Sequence, residues 1–259
     1  MTSIIHSSLQ QHHNKFLHKD STLILDQSHN VLCLHNNPIQ YIHSIDQVPL
    51  HQVQSIQYAE DATLLRLYHD HTHWITSTRH TIDAQESHYA SKHSFDSLFW
   101  DVWNTHQWNT DILHKHHTYF FLLIHPQHQH IIKHTHKKLI LIDIQSQHPD
   151  HHIHQYPFHS PQEVSLDSYQ ELSHKRGLIF LTPSIKYLLD FPLFTAHKKL
   201  RGNTPSLLFR FLQLYKQPSK QAAFVAAFPH FSYTKADSFL RTRLDPKKHS
   251  PKHLMNLLC

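Results

Sequence analysis

The chain has 259 residues, of which 39% are hydrophobic and 11% are aromatic. This length and apolar content predict a folded protein of one or two domains and exclude a disordered chain. Lys and Arg exceed Asp and Glu by 24 − 19 = 5, a mild excess that suits a polyanionic partner and also occurs on ordinary surfaces. No apolar run approaches the roughly 18 residues of a membrane helix, and the two cysteines lie far apart, so we expect a soluble intracellular protein without membrane contact.

Two residue counts are unusual, 33 His and only 2 Gly. Average glycine usage is roughly 7%, so other residues must occupy most turns. Turns that need a positive φ are then expected to use Asn, Asp or His, at a cost of about 1 kcal/mol or more each. The two glycines, Gly177 and Gly202, are predicted to lie where a side chain cannot be accepted.

Apolar runs of strand length, separated by polar turns, predict an antiparallel α+β domain. The predicted strands cover residues 22–26, 31–35, 63–68, 74–77, 119–124, 138–143, 177–181 and 185–189. The segment before them, residues 1–21, is polar and is predicted to form a frayed arm or a short cap. Residues 148–154 are predicted to form a polar loop.

Helical spacing of Phe95, Leu98, Phe99 and Val102 behind Ser94, a good N-cap residue, predicts a helix over 94–103. The other predicted helices cover residues 167–174, 206–215, 221–228, 235–244 and 251–258. The change of pattern divides the chain into an α+β domain, residues 1–190, and a helical C-terminal region, residues 191–259.

The stretch from 57 to 83 carries the strongest local signal for chemistry. The carboxylate pair Glu60–Asp61 precedes the predicted hairpin 63–77. The hairpin and the turn after it bring hydroxyl and cationic groups that are suited to a phosphate: Arg66, Thr76, Ser77 and Arg79. An ordinary acidic turn, with Arg66 partly buried against Glu60 or Asp61, explains the same residues equally well.

Several segments resemble motifs of the covalent nucleotidyltransferase superfamily, specifically phage-type RNA ligases and ligase-like proteins of large DNA viruses. Residues 59–64 (AEDATL) are similar to the first motif, and residues 119–126 (YFFLLIHP) to the third. Residues 176–180 (RGLIF) are similar to the fourth motif. Residues 74–84 and 200–212 are similar to segments that the viral proteins carry. The resemblance covers roughly residues 45–216 and implies an ATP-grasp-like ligase core with a helical appendage.

The resemblance implies ATP and Mg²⁺ as cofactors, and nucleotide and RNA as partners. In that family a first-motif lysine attacks the α-phosphate of ATP, and the AMP then passes to an RNA 5′-phosphate end. The nucleotide-binding positions implied for this chain are Glu60, Asp61, Arg66, Thr76, Ser77, Arg79, Gly177 and Lys186. The implied nucleic-acid contacts are Arg201 and Arg210. A viral source would place the protein in the host cytoplasm.

The chain departs from the family at the reacting centre. The lysine position is Ala59, the first-motif glycine is Ala62, and the glutamates of the third and fourth motifs are Leu122 and Arg176. These departures imply a pseudoenzyme with weakened or lost adenylyl transfer. The alternative is an active RNA ligase in which a substitute lysine attacks, the candidates being Lys186, Lys198 and Lys199.

Two further classes stay open. The chain can be a noncatalytic RNA-binding protein, or a histidine-rich metal-binding protein that uses groups such as residues 69–73, 128–136 and 148–154. With 33 His in 259 residues, close pairs are expected by chance throughout, so no residue is assigned as a metal ligand. The sequence also leaves the oligomeric state open.

Overall fold

A computed structural model describes residues 9–12, 15–18, 23–35, 38–88, 92–128, 130–146, 156–204, 206–214 and 217–231. Within these ranges the fold is mixed α+β with mainly antiparallel sheets, as the sequence predicted. The strands are β1 Leu9–His12, β2 Lys15–His18, β3 Ile24–Leu25, β4 Val31–Cys33, β5 Ile39–Ile42, β6 Ser55–Ala59, β7 Thr63–His69, β8 Trp74–Ser77, β9 His117–Ile124, β10 Lys138–Ser146, β11 Gly177–Leu181 and β12 Lys186–Asp190. The α-helices are α1 Phe95–Thr105, α2 Pro192–Arg201, α3 Leu207–Gln213 and α4 Pro218–Ala227, with short 3₁₀ helices at Ile45–Gln47, Leu50–Gln52 and Thr110–Ile112.

The strands form three four-stranded sheets. Their strand orders are β1-β2-β3-β4, β10-β9-β7-β8 and β5-β12-β11-β6. Every neighbouring pair is antiparallel except β12 and β5, which run parallel. We call them the first, second and third sheets. Antiparallel neighbours explain why most of the predicted strands pair as hairpins.

Side chains alternate between the two faces of the second sheet, and both faces are buried. One face packs against α1, and its buried residues include Leu65, Leu67, Tyr119, Phe121, Phe99 and Trp103. The opposite face packs against the first sheet, and its buried residues include Tyr68, Ile75, Leu17, Ile24 and Cys33. This double burial explains the near-continuous apolar run of β9.

Helix α1 begins and ends close to where its sequence pattern predicts. The Ser94 side chain accepts a hydrogen bond from the backbone N–H of Ser97, which confirms Ser94 as the N-cap. Leu98, Phe99 and Val102 are buried on one face, as the helical spacing requires.

The third sheet buries one face and uses the other to approach the second sheet. Tyr58, Leu178 and Phe180 form the buried face together with Phe191. On the opposite face, Lys186 Nζ lies 3.3 Å from Asp143 Oδ2 of β10. An ion pair therefore links the two sheets at that end of β12.

Several sequence predictions were wrong or incomplete. Residues 9–12 and 15–18 of the predicted arm form β1 and β2, whose backbones pair with each other. Residues 167–174 form turns rather than a helix, and Tyr169 and Leu172 pack from those turns onto the core of the third sheet. Two anchoring side chains satisfy burial there without a regular helix. Strands β5 and β6 and helix α2 were not predicted, and the predictions for 148–154 and 235–258 lie outside the described residues.

Helices α2 to α4 follow one another after β12. Their apolar side chains form a core of their own, which includes Leu212, Phe211, Phe224 and Phe228. No helix in the described ranges is long and apolar enough to cross a membrane. The division of the chain at residue 190 stays a prediction.

Backbone conformations bear out the expectation from the low glycine count. Positive φ values occur at His29 (62°), His71 (79°), Gln107 (55°) and Gly202 (62°) in the described residues. Among the described residues, histidine thus takes two of the turns where glycine is the usual choice, while Asn and Asp take none. Gly177 is retained for a different reason, because a Cβ built there would lie 1.9 Å from the carbonyl oxygen of Leu189.

Candidate nucleotide site where two sheets meet

The chain passes from the third sheet to the second through the three residues between Ala59 and Thr63. Ala59 ends β6, pairs with Gly177 of β11 and is 1% exposed. Its carbonyl oxygen accepts a hydrogen bond of 2.9 Å from the backbone N–H of Arg176. The position that the resemblance assigns to the attacking lysine therefore lies at the junction of two sheets, and it carries a buried methyl group.

Three segments that are far apart in sequence meet at this junction. Residues 59–62 correspond to the first motif of the resemblance, and Thr63 directly after them pairs with Leu123 in the third-motif strand. The fourth-motif segment begins at Arg176–Gly177, beside Ala59. The pairing thus brings the three segments together at one junction.

The carboxylates of Glu60 and Asp61 are both engaged by protein groups. Glu60 forms an ion pair with Lys175, whose Nζ also lies 5.9 Å from the centroid of the Tyr58 ring. Asp61 Oδ2 accepts a hydrogen bond of 2.8 Å from the N–H of Ile132, and its carbonyl oxygen lies 2.7 Å from His134 Nε2. These contacts fix the crossing segment, and they occupy the carboxylates that the sequence assigned to a nucleotide or its metal.

Removing Lys175 is expected to destabilise the junction. The Lys175 and Glu60 side chains are 11% and 10% exposed, so the change Lys175→Met leaves a carboxylate largely out of water without its partner. We expect a loss of about 2 kcal/mol in the free energy of unfolding. Urea unfolding measures it, with Lys220→Met on the exposed side of α4 as the control. In the double variant, Glu60→Gln should restore part of the loss, and simple additivity would contradict the pairing.

The predicted phosphate contacts of β7 and β8 form a buried network instead of a free surface. Arg66 is 3% exposed, and its Nε donates to Ser77 Oγ at 3.0 Å and its Nη2 to the Thr78 carbonyl at 2.5 Å. Thr76 Oγ1 donates to Asp96 Oδ1 of α1 at 2.7 Å. Burial raises the pKa of Asp96, although its hydrogen bonds with Thr76 and Trp100 act in the opposite direction. In this set only Arg79, in the turn after β8, is exposed.

Of the candidate substitute lysines, Lys186 lies away from Ala59, Lys198 is engaged in an ion pair, and Lys199 is exposed in the last turn of α2. Lys186 pairs with Leu181 at the opposite end of the β11–β12 hairpin from Gly177. Four residues of a strand separate the two ends by roughly 13 Å. Lys198 Nζ lies 3.3 Å from Asp190 Oδ2. A lysine that was not among the candidates, Lys175, forms an ion pair with Glu60, the residue directly after Ala59. The sequence did not single it out, because it lies just before the fourth-motif segment.

The predicted nucleic-acid contacts Arg201 and Arg210 lie at the ends of α2 and α3. Arg201 is 3% exposed, and its Nε lies 3.5 Å from the carbonyl oxygen of Thr204. Arg210 Nε donates to the carbonyl oxygen of Leu200 at 2.7 Å. Arg210 therefore holds the end of α2, and Arg201 contacts the loop after it, so their assignment to nucleic acid stays a prediction that this placement does not favour.

Four histidines between β9 and β10 are buried: His125, His128, His130 and His134. His128 Nδ1 lies 2.9 Å from Thr63 Oγ1, and the His128 and His130 ring centroids are 4.0 Å apart. Burial lowers the pKa of each of these two histidines to about 3, with further lowering from their histidine neighbours and from Arg201. We call His128, His130 and His134 the histidine cluster. Its members fill the space behind the sheet junction as neutral rings.

The histidine cluster does not have the geometry of a metal centre. Among the described residues, no group of three or more His, Cys, Asp or Glu is placed to hold a metal ion. In the segment 69–73, His71 and His73 are exposed while His69 packs on Trp74 with ring centroids 5.2 Å apart. Residues 148–154 lie outside the described ranges.

Comparisons of the chain with protein-family models and with curated proteins found no match.

Proposed function

We propose that the protein binds nucleotides or RNA ends on a nucleotidyltransferase-like framework that has lost adenylyl transfer. The observation that carries the proposal is the meeting of the three motif-like segments around Ala59, with Ala59 paired to Gly177 and Thr63 paired to Leu123. These segments meet at one junction, in the chain order that the resemblance implies. The same junction lacks the group that the reaction needs.

The residues at the junction explain the loss of chemistry. The Ala59 methyl cannot form a phosphoramide, since covalent transfer needs a nucleophilic nitrogen or oxygen. Leu122 and Arg176 replace carboxylates at the third and fourth motifs, and Arg176 Nε donates to Asp190 Oδ1 at 2.6 Å. The remaining carboxylates, Glu60 and Asp61, are engaged by Lys175 and Ile132. Mg²⁺ is commonly held by one or two carboxylates together with waters and substrate phosphates. The two carboxylates left at the junction each already have one oxygen engaged by the protein, which makes them a poor donor set for this ion.

The enzyme alternative is tested by incubation with α-³²P-ATP and Mg²⁺ or Mn²⁺, followed by SDS gel electrophoresis. We expect no label on the protein, because Lys186 and Lys198 lie in ion pairs with Asp143 and Asp190. A label that resists SDS would contradict the proposal, and its loss in Lys175→Ala, Lys186→Ala or Lys198→Ala would identify the nucleophile.

The binding part of the proposal is tested by titrating fluorescent single-stranded RNA with a 5′-phosphate at low salt. We expect binding whose log affinity falls linearly with log salt concentration, because cations on the protein displace counterions from the phosphates. Far-ultraviolet circular dichroism of the same sample controls for folding. A folded sample that binds neither RNA nor ATP at low salt would overturn the proposal.

A further inference from the structure

We propose that Tyr41 and the cations beside it form a stacking site for an unpaired nucleotide of single-stranded nucleic acid. This inference rests on the proposed function and names the part of the ligand that the third sheet would hold. None of the residues assigned to nucleic acid from the sequence takes part in it.

Tyr41 is the exposed aromatic residue of an edge strand. It lies in β5, and 58% of its surface is exposed. Among the described large hydrophobic residues that are exposed, it is the only aromatic one. An exposed aromatic ring on a sheet is costly to keep in water, and ring faces of this kind hold unpaired bases in single-strand-binding proteins.

Two cations lie over this ring. The Arg176 Cζ atom lies 5.6 Å from the centroid of the Tyr41 ring, and Lys198 Nζ lies 5.5 Å from it. Asp190 holds Arg176 in place, because Arg176 Nε donates to Asp190 Oδ1 at 2.6 Å and Arg176 Nη2 donates to Oδ2 at 3.4 Å. The Arg176 Cζ atom lies 5.2 Å from the centroid of the Phe194 ring. A guanidinium that is already ordered costs little further entropy when a ligand arrives.

The charge around the ring favours an anion. Arg176 and Lys198 against Asp190 leave a local excess of 2 − 1 = 1 positive charge. Lys198 is 50% exposed, and Lys199 beside it in the last turn of α2 is exposed as well. A phosphate next to the stacked base can therefore reach a lysine without breaking the pair of Arg176 with Asp190.

The same face of the third sheet leads from Tyr41 to the junction. Tyr41 pairs with Leu188, which lies two positions before Asp190 on β12, and Asp190 pairs with Gly177. Gly177 in turn pairs with Ala59. Residues two apart on a strand, and residues paired between strands, share one face, and strands are about 4.8 Å apart. Tyr41 therefore lies on the same face of the sheet as Ala59, roughly 15 Å away, at the exposed edge of a face whose interior residues Leu188 and Ala59 are buried.

The test measures fluorescence anisotropy of a labelled oligouridine of about 12 nucleotides with the full chain and its variants. We expect Tyr41→Ala to weaken binding about tenfold and Tyr41→Phe to keep it, since both Tyr and Phe offer a ring face. We expect Lys198→Gln to weaken binding and to reduce the salt slope by about 1. The matched controls, Leu50→Ala and Lys220→Gln, change exposed residues elsewhere and should leave the affinity unchanged.

The outcomes separate the two proposals. No binding by the folded wild-type chain at low salt overturns both the proposed function and the stacking site. Binding that survives in Tyr41→Ala overturns the stacking site alone. Equal loss in Tyr41→Phe and Tyr41→Ala also overturns it, because the hydroxyl rather than the ring would then be responsible. Equal affinity for a duplex of the same length would show binding to phosphates without an unpaired base, and it would also overturn the stacking site. An oligodeoxyuridine that binds as tightly as the RNA supports the stacking site for both sugars.

Discussion

Lowering the pH from 7 to 4 is expected to destabilise the fold steeply through the histidine cluster. Burial lowers the pKa of His128 and His130 from 6.5 to about 3, and it lowers the pKa of His134 as well. The unfolded chain therefore binds more protons than the folded chain between these values. The stabilisation that the neutral rings provide is fully present above pH 6.5 and is lost as the pH falls towards 3. The free energy of unfolding falls by up to about 1.4 kcal/mol per pH unit for each histidine.

Charged groups around the histidine cluster also affect the pKa values of its members. Arg201 and the neighbouring histidines oppose protonation of His128 and His130, whereas Asp61 favours it for His128. Within the cluster, His130 Nε2 is buried without a hydrogen-bond partner among the described residues, while Nδ1 of the same ring lies 3.7 Å from Asp61 Oδ1. Acid is therefore expected to open the loop between β9 and β10 and to free Asp61 from its contact with Ile132.

Urea unfolding from pH 7 to pH 4 measures this prediction. In His130→Leu the slope of stability against pH should fall by about 1.4 kcal/mol per pH unit, because one titrating ring is removed. The matched control His43→Leu changes an exposed histidine and should keep the wild-type slope. Equal slopes in the wild type and in His130→Leu would show that His130 titrates in the folded state as it does in the unfolded chain, against the burial that the structure shows.

Local patterns were sufficient to predict much of the secondary structure. The spacing of apolar residues behind Ser94 predicted α1, and the run Gly177–Leu181 with the following turn predicted the β11–β12 hairpin. In both cases the information lies within a few residues of sequence. Strand β6 was missed because its residues are only partly apolar, and its pairing with β11 joins segments more than a hundred residues apart.

The contacts that define the candidate site could not be predicted in the same way. Glu60 and Lys175 are 115 residues apart, and Asp61 and His134 are 73 residues apart. A sequence shows which side chains carry charge, but the register of distant strands decides which charges meet. Arg66 illustrates this limit, because its neighbours in sequence suggested Glu60 or Asp61, whereas the β7–β8 register gives it Ser77 and Thr78.

Among additions of a single methyl group at the described residues around the junction, Gly177→Ala is expected to lower the free energy of unfolding most. A Cβ at Gly177 would lie 1.9 Å from the Leu189 carbonyl oxygen and 2.9 Å from the Asp190 Cα. Both are backbone atoms of β12, so the hairpin must open to accept the methyl group. We expect a loss of about 3 kcal/mol or more in the free energy of unfolding, or failure to fold.

Gly202→Ala provides the matched comparison for this prediction. Gly202 has a φ of +62°, and the nearest atom to its added Cβ is 3.5 Å away on the flexible side chain of Arg210. Only the backbone conformation, with a ψ of −161°, opposes that change, so we expect a cost of about 1–3 kcal/mol. Urea unfolding of both variants measures the difference, and equal costs would contradict the pairing of β11 with β12. Because the approach of β12 alone requires glycine at position 177, the retention of Gly177 is explained by packing, and its role in nucleotide binding must be supported by binding measurements rather than by its identity.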